Sequence, residues 1–272
     1  PRPRARRYEG WMFASFPDGV MALRRLEQQG LSPEVARLSD EQESRVSSAL
    51  AGGGVKQGAG RLYLRTRGFG AGCLFIGGWE GEPETVRRRH AHGARLLRRA
   101  GGLPVGRGPG AAWERSRFAA PYLRDDLLER GVMVDTLETA TTWSNLAGLH
   151  AAVTDALQRA LAMRGTPPLV MCHVSHLYPT GASLYFTFLA RQEADQPLEQ
   201  WRAAKQAAGE AIVGAGATIT HHHGVGRDHA QWLGAEIGAP GVQALRAVKA
   251  ALDPLGIMNP GKLVPGIGDQ PV

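Results

Sequence analysis

The chain has 272 residues, enough for one large domain or two small ones, and 43% of them are hydrophobic, which excludes a mainly disordered chain. Its formal net charge is +7, and arginine supplies nearly all of the excess. Such a balance is typical of proteins that bind nucleic acid, an anionic membrane or a phosphorylated substrate, and also of ordinary solvated surfaces. No apolar run approaches the roughly 18 residues of a membrane span. The two cysteines lie in apolar stretches, which indicates a reducing compartment rather than a disulfide framework.

The first ten residues are polar and basic, and we expect them to be loose. Because the chain begins with Pro-Arg-Pro-Arg, we expect it to be a portion of a longer polypeptide. The apolar stretch 11–16 predicts a strand. A helix should follow, with Asp18 as its N-cap and Gly30 at its end.

The middle of the chain alternates between glycine-rich loops and regular elements. Residues 51–60 and 104–110 are rich in glycine and are predicted to be loops. The remaining predicted elements of this part are strands over 73–79 and 133–140 and helices over 83–100 and 121–130.

The second half of the chain predicts a hairpin surrounded by helices. Apolar residues at helical spacing predict a helix capped by Ser144 or Asn145. Strands over 169–176 and 182–190 flank a Tyr-Pro-Thr-Gly turn, which is typical of a hairpin. The remaining predicted elements are a strand over 217–223 and helices over 197–214, 228–236 and 240–252. This mixture favours an α+β fold in which helices cover an antiparallel sheet.

The motif that offers the most chemistry is His-His-His-Gly-Val-Gly at 221–226. On a strand, His221 and His223 would face one way and His222 the other. Imidazoles exchange protons near neutral pH and stabilise developing negative charge. The glycines would let the backbone approach a flat or anionic ligand closely. The alternative is a polar strand end without a function.

A metal site is the rival interpretation of the histidines. His173 and His176 have the spacing HxxH, and His229 lies downstream. However, no Asp, Glu or Cys stands at ligand spacing beside the triple histidine, and His173 and His176 would face opposite sides of a strand. We therefore expect no metal site.

A tyrosine and two arginines complete the candidate residues. Tyr185 lies on a predicted strand, opposite the face of Leu184 and Phe186, where a phenol can act as an acid or base or can simply be half-buried. Arg37 and Arg124 can bind a carboxylate or phosphate through the planar guanidinium, or can form structural ion pairs.

Four motifs in one order carry a resemblance to a known family. They are PEVARLSDEQ at 33–42, PYLRD at 121–125, SHLYPTGASLYFTF at 175–188 and HHHGVG at 221–226. Together they resemble the alkyldihydroxyacetonephosphate synthase family, a branch of the vanillyl-alcohol-oxidase-like flavoenzymes, over nearly the whole chain. The ending LDPLGIMNPGK is more similar to the glycolate oxidase and D-lactate dehydrogenase branch, which leaves the substrate open.

The resemblance implies an FAD-dependent enzyme that exchanges the acyl group of an acylated dihydroxyacetone phosphate for a fatty alcohol. It implies that Tyr185 is the catalytic acid or base. It also implies that the three histidines, His221, His222 and His223, are essential.

The same resemblance implies the residues that bind substrate and cofactor. Arg124 and Arg37 would bind the substrate, and activity would require Arg37. Asn259 and Lys262, in the final turn, would contact the flavin. The substrate would be a small phosphorylated or carboxylate molecule.

In that family the FAD pyrophosphate is held by an N-terminal domain through a Gly-Gly-Thr-Ser-type loop, and residues 51–60 lack the Thr-Ser. We therefore expect residues 11–272 to be the C-terminal cap or substrate domain, inactive without an N-terminal FAD-binding domain. We expect a cytoplasmic protein, and leave association with a membrane surface and a homodimer open. FAD-linked oxidation of a 2-hydroxy acid is the alternative activity. Nucleic-acid binding is not expected, because no basic patch interleaved with aromatic residues occurs.

Overall fold

The computed structural model describes residues 2–50, 55–118 and 120–264. Within these residues, strands and helices follow one another without strict alternation, and the strands form one antiparallel sheet, so the α+β prediction is confirmed. The strands are β1 (Ala5–Phe13), β2 (Val35–Ser39), β3 (Cys73–Gly81), β4 (Leu103–Gly106), β5 (Val132–Thr142), β6 (Leu169–Tyr178) and β7 (Gly181–Arg191).

The helices lie between these strands and after the last one. They are α1 (Phe16–Gln28), α2 (Glu41–Leu50), α3 (Val55–Thr66), α4 (Pro83–Arg99), α5 (Arg107–Ser116), α6 (Ala120–Glu129), α7 (Leu146–Met163), α8 (Pro197–Gly214) and α9 (Ala230–Leu252). In the described part of the chain, none of them combines the length and the apolar character that crossing a bilayer would require.

The strand order is β4-β1-β3-β2-β6-β7-β5, which places β5 at one edge. The predicted hairpin of β6 and β7 is confirmed, and β5 pairs with β7 from Val132 opposite Arg191 to Thr142 opposite Gly181. Three long strands therefore lie side by side at this end of the sheet, and their central residues carry the candidate site.

One face of this strand group is buried under α7. Leu184, Phe186 and Phe188 on β7 are fully buried in the same core cluster as Leu149 and Leu157 of α7. Because side chains alternate along a strand, the residues between them face the other side of the sheet. This alternation directs Tyr185 away from the core.

Residues 5–10 form part of a strand, contrary to the prediction that residues 1–10 are loose. β1 begins at Ala5 and pairs with β3 along its length. Arg6 contributes an ion pair with Glu80, and Tyr8 is buried. Pairing with the neighbouring strand therefore orders a polar segment whose composition alone predicts a loose tail. The following helix also begins earlier than predicted, because Ser15 and not Asp18 is its N-cap.

Both predicted glycine-rich loops were wrong where the structure describes them. Residues 55–60 belong to α3, while 51–54 lie outside the described residues. The 104–110 stretch contains the end of β4 and the start of α5. Pro109 falls in the first turn of α5, where a missing N–H costs nothing. A Cβ on Gly110 would lie 2.7 Å from the backbone nitrogen of Glu9, so this glycine lets α5 pack closely on β1.

Candidate active site

The site is built on one row of side chains across β5, β7 and β6. Tyr185 is directly opposite Glu138 on β5 and directly opposite His173 on β6. Since opposite residues of antiparallel strands project to the same face, the three side chains lie next to one another. The ring centroids of Tyr185 and His173 are 5.0 Å apart, and the rings are stacked.

The triple histidine does not lie on a strand, so the predicted strand over 217–223 was wrong. The segment runs beside the edge of β5 and forms only an isolated bridge, in which Thr218 N donates to Ala140 O at 3.1 Å. His221 N then donates to Glu138 O at 3.0 Å. His222 has a left-handed backbone, with φ of 59°. The alternating orientation of the three imidazoles is consequently absent.

All three imidazoles gather around one buried carboxylate, Glu138, whose exposed fraction is 4%. Its Oε1 lies 3.3 Å from His221 Nδ1, and its Oε2 lies 3.7 Å from His223 Nε2. His222 stacks on His221 with 3.9 Å between the ring centroids. The three histidines therefore form one cluster.

Glu138 is negatively charged at neutral pH. Burial by itself raises the pKa of Glu138, but the hydrogen bond from Ser175 and the proximity of His221 outweigh it and leave the pKa below its usual value. Ser175 Oγ donates to Glu138 Oε1 at 2.5 Å. The cluster thus contains a fixed negative charge that favours protonation of the imidazoles around it.

His221 is the most enclosed of the three imidazoles. Burial lowers the pKa of His221, and the neighbouring His222 and His176 lower it further, although Glu138 opposes them. Its Nε2 lies 2.8 Å from the hydroxyl of Tyr178. His221 is therefore neutral at pH 7 and is available as a base.

The other side of Tyr185 rests on a polar triad in which His173 and Glu43 are buried and Arg37 is half-buried. His173 Nδ1 lies 3.1 Å from Glu43 Oε1, and Arg37 Nη2 donates to the same oxygen at 2.7 Å. Arg37 Nη1 also lies 3.0 Å from His173 Nε2. Burial lowers the pKa of His173, so this imidazole is neutral.

The rings of Tyr185 and His223 meet edge to face, with 5.5 Å between their centroids. Tyr185, the triple histidine and Arg37 thus belong to one continuous set of contacts.

His173 and His176 both reach this set of contacts, so the prediction that they face opposite sides was wrong. A register shift interrupts β6 between Val174 and Leu177 and breaks the regular alternation. His173 stacks on Tyr185, while His176 Nδ1 lies 3.3 Å from Glu138 Oε1.

The remaining predicted residues lie outside this contact set. Arg124 is exposed on α6 and makes no hydrogen bond or ion pair with the residues that the structure describes. Asn259 and Lys262 are exposed in the final turn. That turn lies beside the glycines of the histidine motif, because Leu263 N donates to Gly226 O at 3.0 Å. The predicted roles of these three residues in binding substrate and flavin stay predictions.

Sequence reasoning missed the two acids that organise the site, Glu138 and Glu43. Glu138 is the single acid in the strand sequence Thr-Leu-Glu-Thr-Ala, and Glu43 lies within the first turn of α2. A single acid on a half-buried strand could have indicated the site, because a buried carboxylate requires a hydrogen-bonding or charged partner. The distance of more than 80 residues between Glu138 and His221 concealed the pair.

The comparison with protein families assigns the fold. A family model described as "FAD linked oxidases, C-terminal domain" matches residues 2–263. The chain belongs to this family. This FAD-linked oxidase domain is 30% identical, over 98% of its length, to the alkyldihydroxyacetonephosphate synthase of Dictyostelium discoideum, and it covers 45% of that protein. The domain therefore spans less than half the length of this curated relative.

Solved structures agree with the family assignment. The domain superposes on a crystal structure of alkyldihydroxyacetonephosphate synthase with a TM-score of 0.76 and 26% identity, covering 95% of this chain and 45% of that one. A shorter match, of sequence rather than structure, is to a glycolate oxidase subunit of Bacillus subtilis. It has 44% identity over 54 residues, or 20% of this chain and 12% of that protein.

FAD is the cofactor of this family, and the backbone beside the histidine cluster is open to a ligand. Gly224 and Gly226 have φ of 75° and 56°, and open space surrounds the positions that their Cβ atoms would occupy. A ligand can therefore approach this backbone closely. Lys262 directly precedes Leu263, which bonds to Gly226, and the predicted contacts of Asn259 and Lys262 with the flavin stay predictions.

Proposed function

We propose that this domain supplies the proton-transfer residues of a flavoenzyme that replaces the acyl group of an acylated dihydroxyacetone phosphate by a fatty alcohol, a step of ether lipid synthesis. The observation that carries the proposal is the convergence of Tyr185 and the three histidines around Glu138. It occurs in a chain 30% identical over 98% of its length to alkyldihydroxyacetonephosphate synthase.

Tyr185 moves the proton at the carbon next to the substrate carbonyl. Its ring stacks on His173 and contacts the nearly perpendicular ring of His223, so the phenol keeps one orientation. His223 and the neutral His221 accept or return the proton, and the charged Glu138 stabilises whichever imidazole carries it. FAD, when bound, supplies an electron sink for the reacting carbon.

The two arginines have different tasks in this proposal. Arg37 is engaged by Glu43 and His173, so it holds His173 beneath Tyr185 from the substrate side. Arg124 has no partner among the described residues, and its guanidinium binds the substrate phosphate. α6, which carries Arg124, is joined by a two-residue turn to β5, the strand of Glu138, and its exposed surface leaves Arg124 accessible to a substrate.

The test uses the complete flavoprotein, purified with its bound FAD. It is incubated with an acylated dihydroxyacetone phosphate and a radiolabelled fatty alcohol. Labelled alkyl product and an equal amount of released fatty acid are expected. A protein that binds FAD and consumes neither substrate under these conditions would contradict the proposal.

The second candidate activity is FAD-linked oxidation of a 2-hydroxy acid. The 54-residue match to a glycolate oxidase subunit and the ending Leu252–Lys262 favour it. Anaerobic bleaching of the flavin by D-lactate or glycolate, with no alkyl exchange, would select this activity over the first.

The proposed partners are an N-terminal FAD-binding domain, a second copy of the chain and an anionic membrane surface facing the cytoplasm. A cleft of about 510 Å³ between α1 and α4, lined by Arg25, Arg95 and Arg99, supports the membrane proposal, because clustered guanidinium groups attract lipid phosphates. Sedimentation with vesicles containing anionic phosphatidylserine, but not with neutral phosphatidylcholine vesicles, is expected. Light scattering would give the number of copies.

A further inference from the structure

Four side chains at the open end of the site lie close enough together to share one ligand. Glu138, His176, His221 and His222 each place one nitrogen or oxygen atom within 4.8 Å of all the others. Three imidazole nitrogens and one carboxylate oxygen are ligands that divalent transition metals of the zinc type accept.

The spacing of these atoms matches a four-coordinate ion. In a tetrahedral zinc site, bonds of about 2.0–2.1 Å place neighbouring ligand atoms roughly 3.3 Å apart. Glu138 Oε1 is 3.3 Å from His176 Nδ1 and also 3.3 Å from His221 Nδ1. The carboxylate oxygen therefore lies, from each of the two nitrogens, at the separation that one ion would impose, and all four ligand atoms lie within 4.8 Å of one another.

His221 provides an independent observation. Its Nδ1 is buried, and although it lies 3.3 Å from Glu138, it makes no hydrogen bond. The opposite nitrogen, Nε2, lies 2.8 Å from the Tyr178 hydroxyl. When Nε2–H donates to that oxygen, the lone pair of Nδ1 is free for an ion, which is how ligating histidines are oriented in metal sites. Ser175 orients Glu138 in the same way, by donating to Oε1.

His222 closes the cluster from the solvent side at some conformational cost. Its left-handed backbone is unfavourable for a residue with a Cβ, and its ring lies 4.5 Å from that of His176 and 3.9 Å from that of His221. Strained residues of this kind are concentrated at ligand sites. Because His222 is exposed, an ion can enter from water.

We propose that Glu138, His176, His221 and His222 bind one divalent transition-metal ion, for which Zn²⁺ is the matching probe. The proposal stands on the cluster alone and does not depend on the proposed reaction. Binding would occupy His221 and His222, two of the three histidines that we propose for proton transfer. Zn²⁺ would therefore also inhibit any flavin reaction that uses these histidines.

The experiment is equilibrium dialysis of the complete flavoprotein, prepared without a histidine tag, against Zn²⁺. One tightly retained ion per chain is expected, and X-ray absorption at the zinc edge should show imidazole and oxygen ligands. Sulfur ligands would instead place the ion at a cysteine and overturn the proposal, as would the absence of a retained ion.

Variants decide which residues hold the ion. His222→Asn keeps a residue that tolerates the left-handed backbone, and we expect it and His176→Gln to weaken Zn²⁺ retention by at least about tenfold. The matched control is His92→Asn, at an exposed histidine of α4, which should retain Zn²⁺ like the wild type. Glu138→Gln should act like His222→Asn if it folds. Unchanged retention in both His222→Asn and His176→Gln would overturn the assignment.

Discussion

At the scale of single residues, the phenol of Tyr185 is the group with the most defined surroundings. Its ring stacks on His173 and contacts the nearly perpendicular ring of His223, and Glu138 is its cross-strand neighbour. None of these contacts uses the hydroxyl. The ring is held by packing, and the oxygen stays available for chemistry.

We predict that Tyr185→Phe lowers the alkyl-exchange rate of the complete flavoprotein by at least about 100-fold, because a general acid or base contributes that much or more. The melting temperature and the flavin content should stay close to those of the wild type, because the stacked ring is retained. Tyr63→Phe, at an exposed tyrosine of α3, is the matched control and should keep full activity. Wild-type turnover in Tyr185→Phe would remove Tyr185 from the mechanism.

A second prediction concerns the acid beneath the site. Glu43→Gln removes the charge that pairs with Arg37 and His173, and should lower the free energy of unfolding by about 3 kcal/mol, since one partner of a buried pair is lost. Urea unfolding followed by tryptophan fluorescence measures this change.

The matched control for that variant is Glu84→Gln, which breaks an exposed pair with Arg87 on α4. Exposed pairs contribute less than about 1 kcal/mol. Equal losses in the two variants would show that the buried triad contributes no more than a surface pair.

At the scale of elements, the sequence predicted those strands and helices that a regular apolar pattern specifies. The hairpin of β6 and β7 and helix α7 were found because two-residue and 3.6-residue patterns are strong there. The 217–223 segment was misassigned because its apolar alternation reflects contact with β5 at only two points, Thr218 and His221. The register shift in β6 brings His176 to Glu138, and no local sequence pattern predicts this shift.

The contact between α8 and α9 yields a prediction at this scale. A Cβ on Gly209 would lie 2.4 Å from the ring of Trp232, so Gly209→Ala should lower the melting temperature, at a cost of about 1–3 kcal/mol. Gly214→Ala, in the same helix with open space around its Cβ position, should be neutral or stabilising. Scanning calorimetry compares them, and a stable Gly209→Ala protein would mean that Trp232 moves without cost.

At the scale of the whole molecule, the site depends on acids and histidines that come from four separate parts of the chain. Arg37 and Glu43, Glu138, the β6–β7 hairpin and the 221–223 segment meet only when the sheet is complete. This explains why the sequence identified the tyrosine and the histidines by type and motif, while their acidic partners required the fold.

Stability should fall as the pH drops from 7.5 to 5.5. Burial lowers the pKa of His173 below the value near 6.5 of the unfolded chain, even though the adjacent Glu43 opposes it. The unfolded chain therefore takes up the proton first, so the stabilisation is complete above about pH 6.5 and is lost on acidification. The lowered pKa values of Glu43 and Glu138 affect stability mainly below about pH 4.5.

Melting temperatures across this range measure the effect. His173→Gln should show a smaller decrease between pH 7.5 and 5.5 than the wild type does, and His92→Gln serves as the control for the loss of a histidine at an exposed position. An unchanged slope in His173→Gln would assign the acid sensitivity elsewhere.

The position of β5 at the sheet edge has a consequence for solubility. An edge strand offers unpaired backbone groups on which a second molecule can assemble. Here the carbonyl oxygens of Glu138 and Ala140 are already occupied by His221 N and Thr218 N. The segment that carries the three histidines therefore also covers the edge at which a second molecule could pair. We expect that shortening this segment would cause precipitation as well as loss of activity.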